Sequence, residues 1–341
     1  MFVTGCHRSG TSLLASVLSQ FVGVASDHTD QMKPALDNPR GFHESNRLVS
    51  FNDSLLARLG CSWDQPPLLP PVWDQDPFLD HLTGQRKRFQ DLALEDAWVA
   101  KDPRLCLTYP AYVHVLLRRI PLLAAIREPL AVAGSLFARN GFPVNAGLCI
   151  WFLYNHHLAS SLAADEPVIA YQRLVQAGDN ETVSAELYSS ICVWLEKNGI
   201  QPGDYKLWND VLQQRISPNL DRAGDVLSSS VLAKVSPVLL ETCILAFNSC
   251  IMNGADGSAL QHSFSSIPRV ILEMQQCYGI CPSTDPYEFL RLRQLVDNSH
   301  QERNRLESRL RSLEGELKAM RSSTSWRITA PIRHLILNIR A

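Results

Sequence analysis

The residues Gly5-Cys6-His7-Arg8-Ser9-Gly10-Thr11-Ser12 have the types and spacing to hold phosphate. Two glycines five apart, followed by hydroxyl residues, bound a loop whose backbone N–H groups can cradle an anion. The triphosphate-splitting form of such a loop, G-x-x-x-x-G-K-[ST], carries a lysine that reaches the β- and γ-phosphates. Here that position is Thr11, and the cation stands inside the loop at Arg8. The chemistry expected is the holding of an anionic nucleotide without hydrolysis of a nucleoside triphosphate.

Two further clusters have chemical potential. Lys101-Asp102-Pro103-Arg104 follows a short apolar run, and Arg127-Glu128-Pro129 follows another, with Ser135 eight residues beyond Arg127. A guanidinium and a hydroxyl at that spacing suit one phosphate group. The alternative is an arginine at a sheet edge and a serine facing solvent. His43 and Glu44, in Asn38-Pro39-Arg40-Gly41-Phe42-His43-Glu44-Ser45, are titratable groups that follow a polar, turn-rich stretch. His114 lies in an apolar helical run and reads as structural. Cys6 reads as a small residue that fits the loop rather than a nucleophile.

The elements that must position these residues follow from periodicity. Met1–Thr4, Ala97–Ala100, residues 121–126 and Val168–Tyr171 read as short buried strands. Helices are expected from about Gly10 onward, through Leu48–Leu59, over Leu130–Arg139 and over residues 182–198. Strands alternating with helices predict a parallel α/β sheet, with functional residues at the strand C-terminal ends. Residues 29–39 are polar and turn-rich and are expected to form a mobile loop over the site. Residues 64–77 are rich in proline and read as an irregular surface crossing.

Taken together, Gly5–Ser12 and the later Arg-x-Pro-x5-Ser resemble the sulfotransferase family that uses 3′-phosphoadenosine-5′-phosphosulfate. The resemblance covers about residues 1–220, with later echoes at 168–174 and 194–200 and an end near 216–222. It implies that Arg8, Ser9, Gly10, Thr11 and Ser12 hold the 5′ end of the nucleotide, and that Arg127 and Ser135 hold its 3′-phosphate. Arg-Ser-Gly-Thr is closer to the bacterial, glycan and tyrosylprotein branches than to the enzymes acting on phenols and steroids. Lys101-Asp102-Pro103 is similar to a tyrosylprotein-enzyme segment whose lysine stabilises the transferring group, and Asp102 is expected to orient Lys101 or the loop. The segment around Glu44 is similar to one in bacterial members, which implies Glu44 as general base, with His43 as its alternative. The catalytic set implied is Glu44, Lys101 and Arg8, acting on a hydroxyl acceptor, with a carbohydrate or polysaccharide favoured. No metal is expected. The alternatives are a nucleotide kinase or NTPase, and an inactive coiled-coil assembly protein.

Composition bounds the rest. Of 341 residues, 45% are apolar and the net charge is −2, so nucleic-acid binding is not expected. Residues 288–341 hold 11 Lys/Arg against 6 Asp/Glu, a basic segment on a mildly acidic body. The nine cysteines show no C-x-x-C spacing and read as buried residues in a reducing compartment. With no leader read at the start, the expectation is a cytoplasmic protein, peripheral at the inner membrane face.

From Phe289 an apolar 3/4 spacing runs to Met320, broken at Ser299 and Arg303 and sound over the last five positions, Leu306 to Met320. The closing Ser325-Trp326-Arg327-Ile328-Thr329-Ala330-Pro331-Ile332-Arg333 resembles tails that follow coiled coils in bacterial glycosyltransferases and polysaccharide-assembly proteins. The expected layout is a sulfotransferase domain over 1–222, a helical extension over 223–287, a coiled coil over 288–322 and a basic amphipathic tail over 323–341. The fold class expected is α/β, a P-loop-type three-layer fold around a central parallel sheet. A homo-oligomer or a glycan-assembly partner is expected through the coiled coil, and a membrane-surface contact through the tail.

Overall fold

The computed structural model describes residues 1–23, 30–32, 43–71, 73, 78–93, 99–216 and 227–278. Of the C-terminal part it describes 305–306, 308–316, 318–319 and 326. Most of the 29–39 loop, the 217–226 segment and nearly all of the tail therefore lie outside the described residues.

Four short strands, β1 (Phe2–Thr4), β2 (Ala100–Lys101), β3 (Leu122–Ile126) and β4 (Val168–Ala170), form a parallel sheet in the order β2-β1-β3-β4. Phe2 pairs with Ala100 on one side and Leu122 on the other, and Ala124 pairs with Val168. The chain leaves β1 for one neighbour, β2, and then crosses to the other, β3. The crevice at such a reversal, beyond the strand C-terminal ends, is where α/β sheets bind ligands.

Every strand residue is buried, because both faces are covered. On one face Val3, Leu123, Ala125 and Ile169 share a core with helix α1 (Thr11–Phe21) and with α9 (Glu181–Lys197) and α10 (Tyr205–Arg215). On the other, Phe2 meets the ring edges of Tyr109 and Tyr112 from α5 (Leu105–Leu116). Tyr112 in turn packs on Phe51 of α2 (Asn46–Arg58) and on Phe89 of α4 (Arg86–Ala93). The result is the three-layer α/β architecture with a central parallel sheet that the alternation of strands and helices predicts.

Local chemistry sets the helix starts. Ser45 caps α2 by accepting from the Leu48 N–H at 3.2 Å. Glu128 caps α6 (Pro129–Asn140) by accepting from Leu130 and Ala131, and Pro129 supplies a preset first turn. Gly141, at φ 72°, ends that helix in the left-handed conformation.

The buried helix α7 (Val144–Ser161) binds surface segments to the body. Tyr154 Oη donates to the Trp63 carbonyl at 2.8 Å, and His157 Nε2 lies 2.6 Å from the Pro67 carbonyl. A carbonyl only accepts, so His157 carries its proton on Nε2. These bonds hold the proline-rich 63–67 stretch, and His156 reaches the Phe264 carbonyl in the same way at 2.7 Å. Helices α12 (Pro237–Met252), α13 (Gly257–Ser263) and α14 (Arg269–Tyr278) pack on α7, so this later helical segment shares a compact unit with the sheet.

That unit spans Met1–Pro286, and a second spans Tyr287–Ala341. The described residues of the second are helical and solvent-exposed. Among the described residues no helix is long and apolar enough to cross a membrane.

Burial pushes the His157 pKa from 6.5 down to about 4, so the folded state favours the neutral ring. Between those values the unfolded chain binds more protons than the folded one, and stability falls as pH drops. The full difference is worth about 3 kcal/mol. His157→Gln keeps an N–H for the Pro67 carbonyl but does not titrate. Its urea-unfolding free energy is expected to fall less steeply than that of the unsubstituted protein between pH 6.5 and 4.

Candidate active site

All four strands are parallel, so the residues that follow them gather at one edge of the sheet. They are Gly5 after β1, Asp102 after β2, Arg127 after β3 and Tyr171 after β4. The loop after β1 is tightly constrained. Gly5 sits at φ 143°, where a Cβ would fall 2.2 Å from the Ala125 carbonyl oxygen. A Cβ on Gly10, at φ 85°, would run into the Tyr171 ring. Both positions therefore require glycine. Arg8, at φ 69°, is left-handed without being glycine, and such strain is characteristic of ligand-holding turns. The Ser9 hydroxyl is buried within the loop and has no hydrogen-bond partner among the described residues.

The loop and the Arg127/Ser135 pair form one site. Arg8 Nε donates to Ser135 Oγ at 2.8 Å, and Arg127 Nη1 donates to the Arg8 carbonyl at 3.2 Å. Arg8 and Ser135, expected at opposite ends of a nucleotide, are joined directly. Arg127 is buried, with its guanidinium 4.3 Å from the centroid of Tyr171. The Trp151 indole N–H donates to the Arg127 carbonyl at 3.0 Å and fixes the backbone there.

A buried network of charges adjoins the loop. The Lys101 ammonium pairs with Glu44 Oε1 and donates to Ser12 Oγ at 3.2 Å. Arg104 Nη1 lies 3.9 Å from Glu44 Oε2 and 3.1 Å from Asp102 Oδ1, while its Nε reaches Asp53 at 2.5 Å. Asp102 Oδ2 accepts from Asn52 Nδ2 at 2.8 Å. The Asn52 side-chain oxygen Oδ1 accepts from the hydroxyls of Thr108 and Tyr112 at 2.9 and 3.0 Å. Burial opposes the charge on Arg104, but Asp102 and Asp53 outweigh it and raise its pKa above the ordinary guanidinium value. Asp102 therefore organises Arg104 and Asn52, and Lys101 is positioned by Glu44 and Ser12. The Thr4 hydroxyl donates to the Asp102 carbonyl at 3.0 Å and ties the end of β1 to that of β2.

Glu44 owes its place to short-range order. Its carbonyl accepts from the Met32 N–H, residues 31 and 45 form an antiparallel bridge, and Ser45 starts α2. His43 precedes it at φ 52° and is half-buried.

His7 packs against Trp63 at 4.6 Å and Tyr154 at 5.6 Å. Burial, together with Arg104, Lys101, Arg139 and Arg8, holds its pKa well below 6.5, so the ring is neutral. Burial also keeps the Cys6 thiol well above its usual pKa, and so protonated, which fits a filling rather than a reacting residue. His114 lies half-buried in α5.

The sequence reading assigns no site role to Arg104, Asn52 or Tyr171. Asn52 falls on the buried stripe Leu48-Phe51-Leu55 of α2, and a polar residue on an apolar face is a detectable signal. Tyr171 follows a strand end, as Arg127 does. Arg104 has no such mark.

No family model matches the chain, and no curated protein matches it. Among solved structures it is similar to the sulfotransferase domain from the curacin biosynthetic pathway, with a TM-score of 0.37 and 14% identity. The similarity covers 82% of this chain and 96% of that one.

Asn52→Leu preserves volume but leaves Asp102 without the Asn52 donor and the Tyr112 hydroxyl without its acceptor. Leaving buried groups unsatisfied costs about 1–3 kcal/mol each, so a loss of about 3 kcal/mol is expected. Tyr112→Phe, which removes one hydroxyl, should cost about 1 kcal/mol. Urea-unfolding midpoints of the two variants and the unsubstituted protein test this ordering.

Proposed function

We propose that this protein is a sulfotransferase that moves a sulfuryl group from 3′-phosphoadenosine-5′-phosphosulfate to a hydroxyl acceptor, with a carbohydrate or polysaccharide favoured. The observation that carries the reading is the continuity of the anion loop with the Arg127/Ser135 pair through Arg8. Two phosphate-suited elements separated by more than a hundred residues become one site, and Thr11 stands where a triphosphate-splitting loop has lysine.

The residues present fit a nucleotide carrying phosphate at both ends. The loop offers backbone N–H groups, the N-terminus of α1 and the unpartnered, buried Ser9 hydroxyl. Arg127, backed by Tyr171, and Ser135 would hold one phosphate; Arg8, Ser9, Gly10, Thr11 and Ser12 would hold the other end. When bound, the co-substrate supplies an activated sulfuryl group.

The chain's own residues then divide the work. Arg8 and Lys101 stabilise negative charge that develops beside the loop, in a buried setting where electrostatic stabilisation is strong. Glu44 accepts the proton of the acceptor hydroxyl. Arg104 and Lys101 together keep the Glu44 carboxylate in position. Positioning matters as much as charge, because correctly held reactants avoid most of the entropic cost of meeting.

Calorimetric titration with 3′-phosphoadenosine-5′-phosphate is expected to show binding that ATP with Mg²⁺ does not match. Arg127→Ala should weaken that binding at least about tenfold, the loss of one charge-assisted contact. Preference for ATP with Mg²⁺ would overturn the reading in favour of a kinase. Glu44→Gln should retain bisphosphate binding while lowering the turnover number by about 10²–10⁴. A fully active Glu44→Gln enzyme would remove Glu44 as the base.

A further inference from the structure

The second compact unit carries a surface that the nucleotide site does not use. Leu306, Leu310 and Leu313 lie on helical residues and are 61%, 58% and 46% exposed. Leucines at 4–3 spacing line one side of a helix and are costly to leave in water. In the sequence this spacing belongs to a single unbroken heptad register from Phe289 to Met320. Its a positions are Phe289, Val296, Arg303, Leu310 and Leu317, and its d positions are Leu292, Ser299, Leu306, Leu313 and Met320. We propose that this seam pairs with the same seam of a second copy of the chain, as a parallel, in-register, two-stranded coiled coil.

The flanking charges identify the occupant and its direction. In a parallel pair, each g residue faces the e residue of the next heptad on the other helix. That geometry matches Glu288 with Arg293, Arg309 with Glu314 and Glu316 with Arg321, and symmetry makes each match twice. Leu295 faces His300, and the one like-charge match is Glu302 with Glu307. That mismatch lies beside Arg303, whose guanidinium supplies the opposite charge at the same layer. A charged residue at one a position also penalises shifted registers, in which it would face leucine.

Antiparallel overlap of the same seam brings g to g and e to e. Glu288 then meets Glu316, Arg293 meets Arg321, and Glu302 and Glu307 each meet their own copies. These four charge–charge matches are repulsive, while Leu295 meets Arg309 and His300 meets Glu314. The charge pattern thus favours a parallel partner with this same sequence.

Sedimentation equilibrium of the full chain tests the proposal. The unsubstituted protein is expected to dimerise, and Leu310→Asp to be monomeric with an unchanged thermal midpoint for the larger unit. Arg309→Glu turns two attractive matches into repulsive ones and should raise the dimer dissociation constant about tenfold. Arg309→Glu combined with Glu314→Arg restores opposite charges and should recover most of that loss. A monomeric unsubstituted chain, or a Leu310→Asp variant that still dimerises, would overturn the proposal. A double variant no tighter than Arg309→Glu would also overturn it.

Discussion

Buried charge must be matched, and that requirement organises the strand-end region of this protein. Lys101, Arg104, Glu44 and Asp102 are all nearly inaccessible to water. An isolated ion in such a place would cost many kcal/mol, so each is held against an opposite charge and further hydrogen-bonded. Asn52 anchors the inner end of the network, taking two hydroxyl donors from α5 and giving one amide N–H to Asp102. Ser12 marks the outer end, where Lys101 meets the loop. Lys101 is charge-matched by Glu44 and Asp102 by Arg104, while Arg104 also reaches Glu44 and so joins the two pairs into one network.

Sheet topology brings these groups within reach of one another. Parallel strands deliver their following residues to a single edge, and the crossover from β2 past β1 to β3 opens the loop between two neighbours. Thr4 then locks the ends of β1 and β2 together, while Trp151 from α7 secures the residue after β3. Gly5 and Gly10 let the loop approach Ala125 and Tyr171 more closely than any side chain would permit. The site is therefore built by backbone close approach on one side and by charge matching on the other.

The larger unit and the described residues of the second follow different physics. In the first, apolar burial covers both sheet faces and α7 draws surface segments inward. In the second, Leu306, Leu310 and Leu313 lie on helical residues and remain exposed. Apolar side chains enclosed in a core and apolar side chains left on a helical surface thus coexist in one polypeptide.

Much of this was legible from local pattern. Hydrophobic periodicity identified the strands and the helices α1, α2, α6 and α9, because each depends on neighbours a few residues away. The glycine-bounded loop and the Arg127/Ser135 spacing were legible for the same reason: each lies within one strand–turn–helix unit. Helix α7 was not legible in this way, because it is buried on nearly every side and so shows no apolar stripe. Which side chains meet was decided only by tertiary structure. Lys101 finds Glu44 across 57 residues, Asn52 finds Asp102 across 50, and Arg8 finds Ser135 across 127. Nothing in the type of Asn52 or Arg104 names its partner, and Asp102 beside Lys101 in sequence turns instead to Asn52 and Arg104. Spacing along the chain encodes local geometry, whereas the pairing of buried charges depends on which strand ends the sheet brings together.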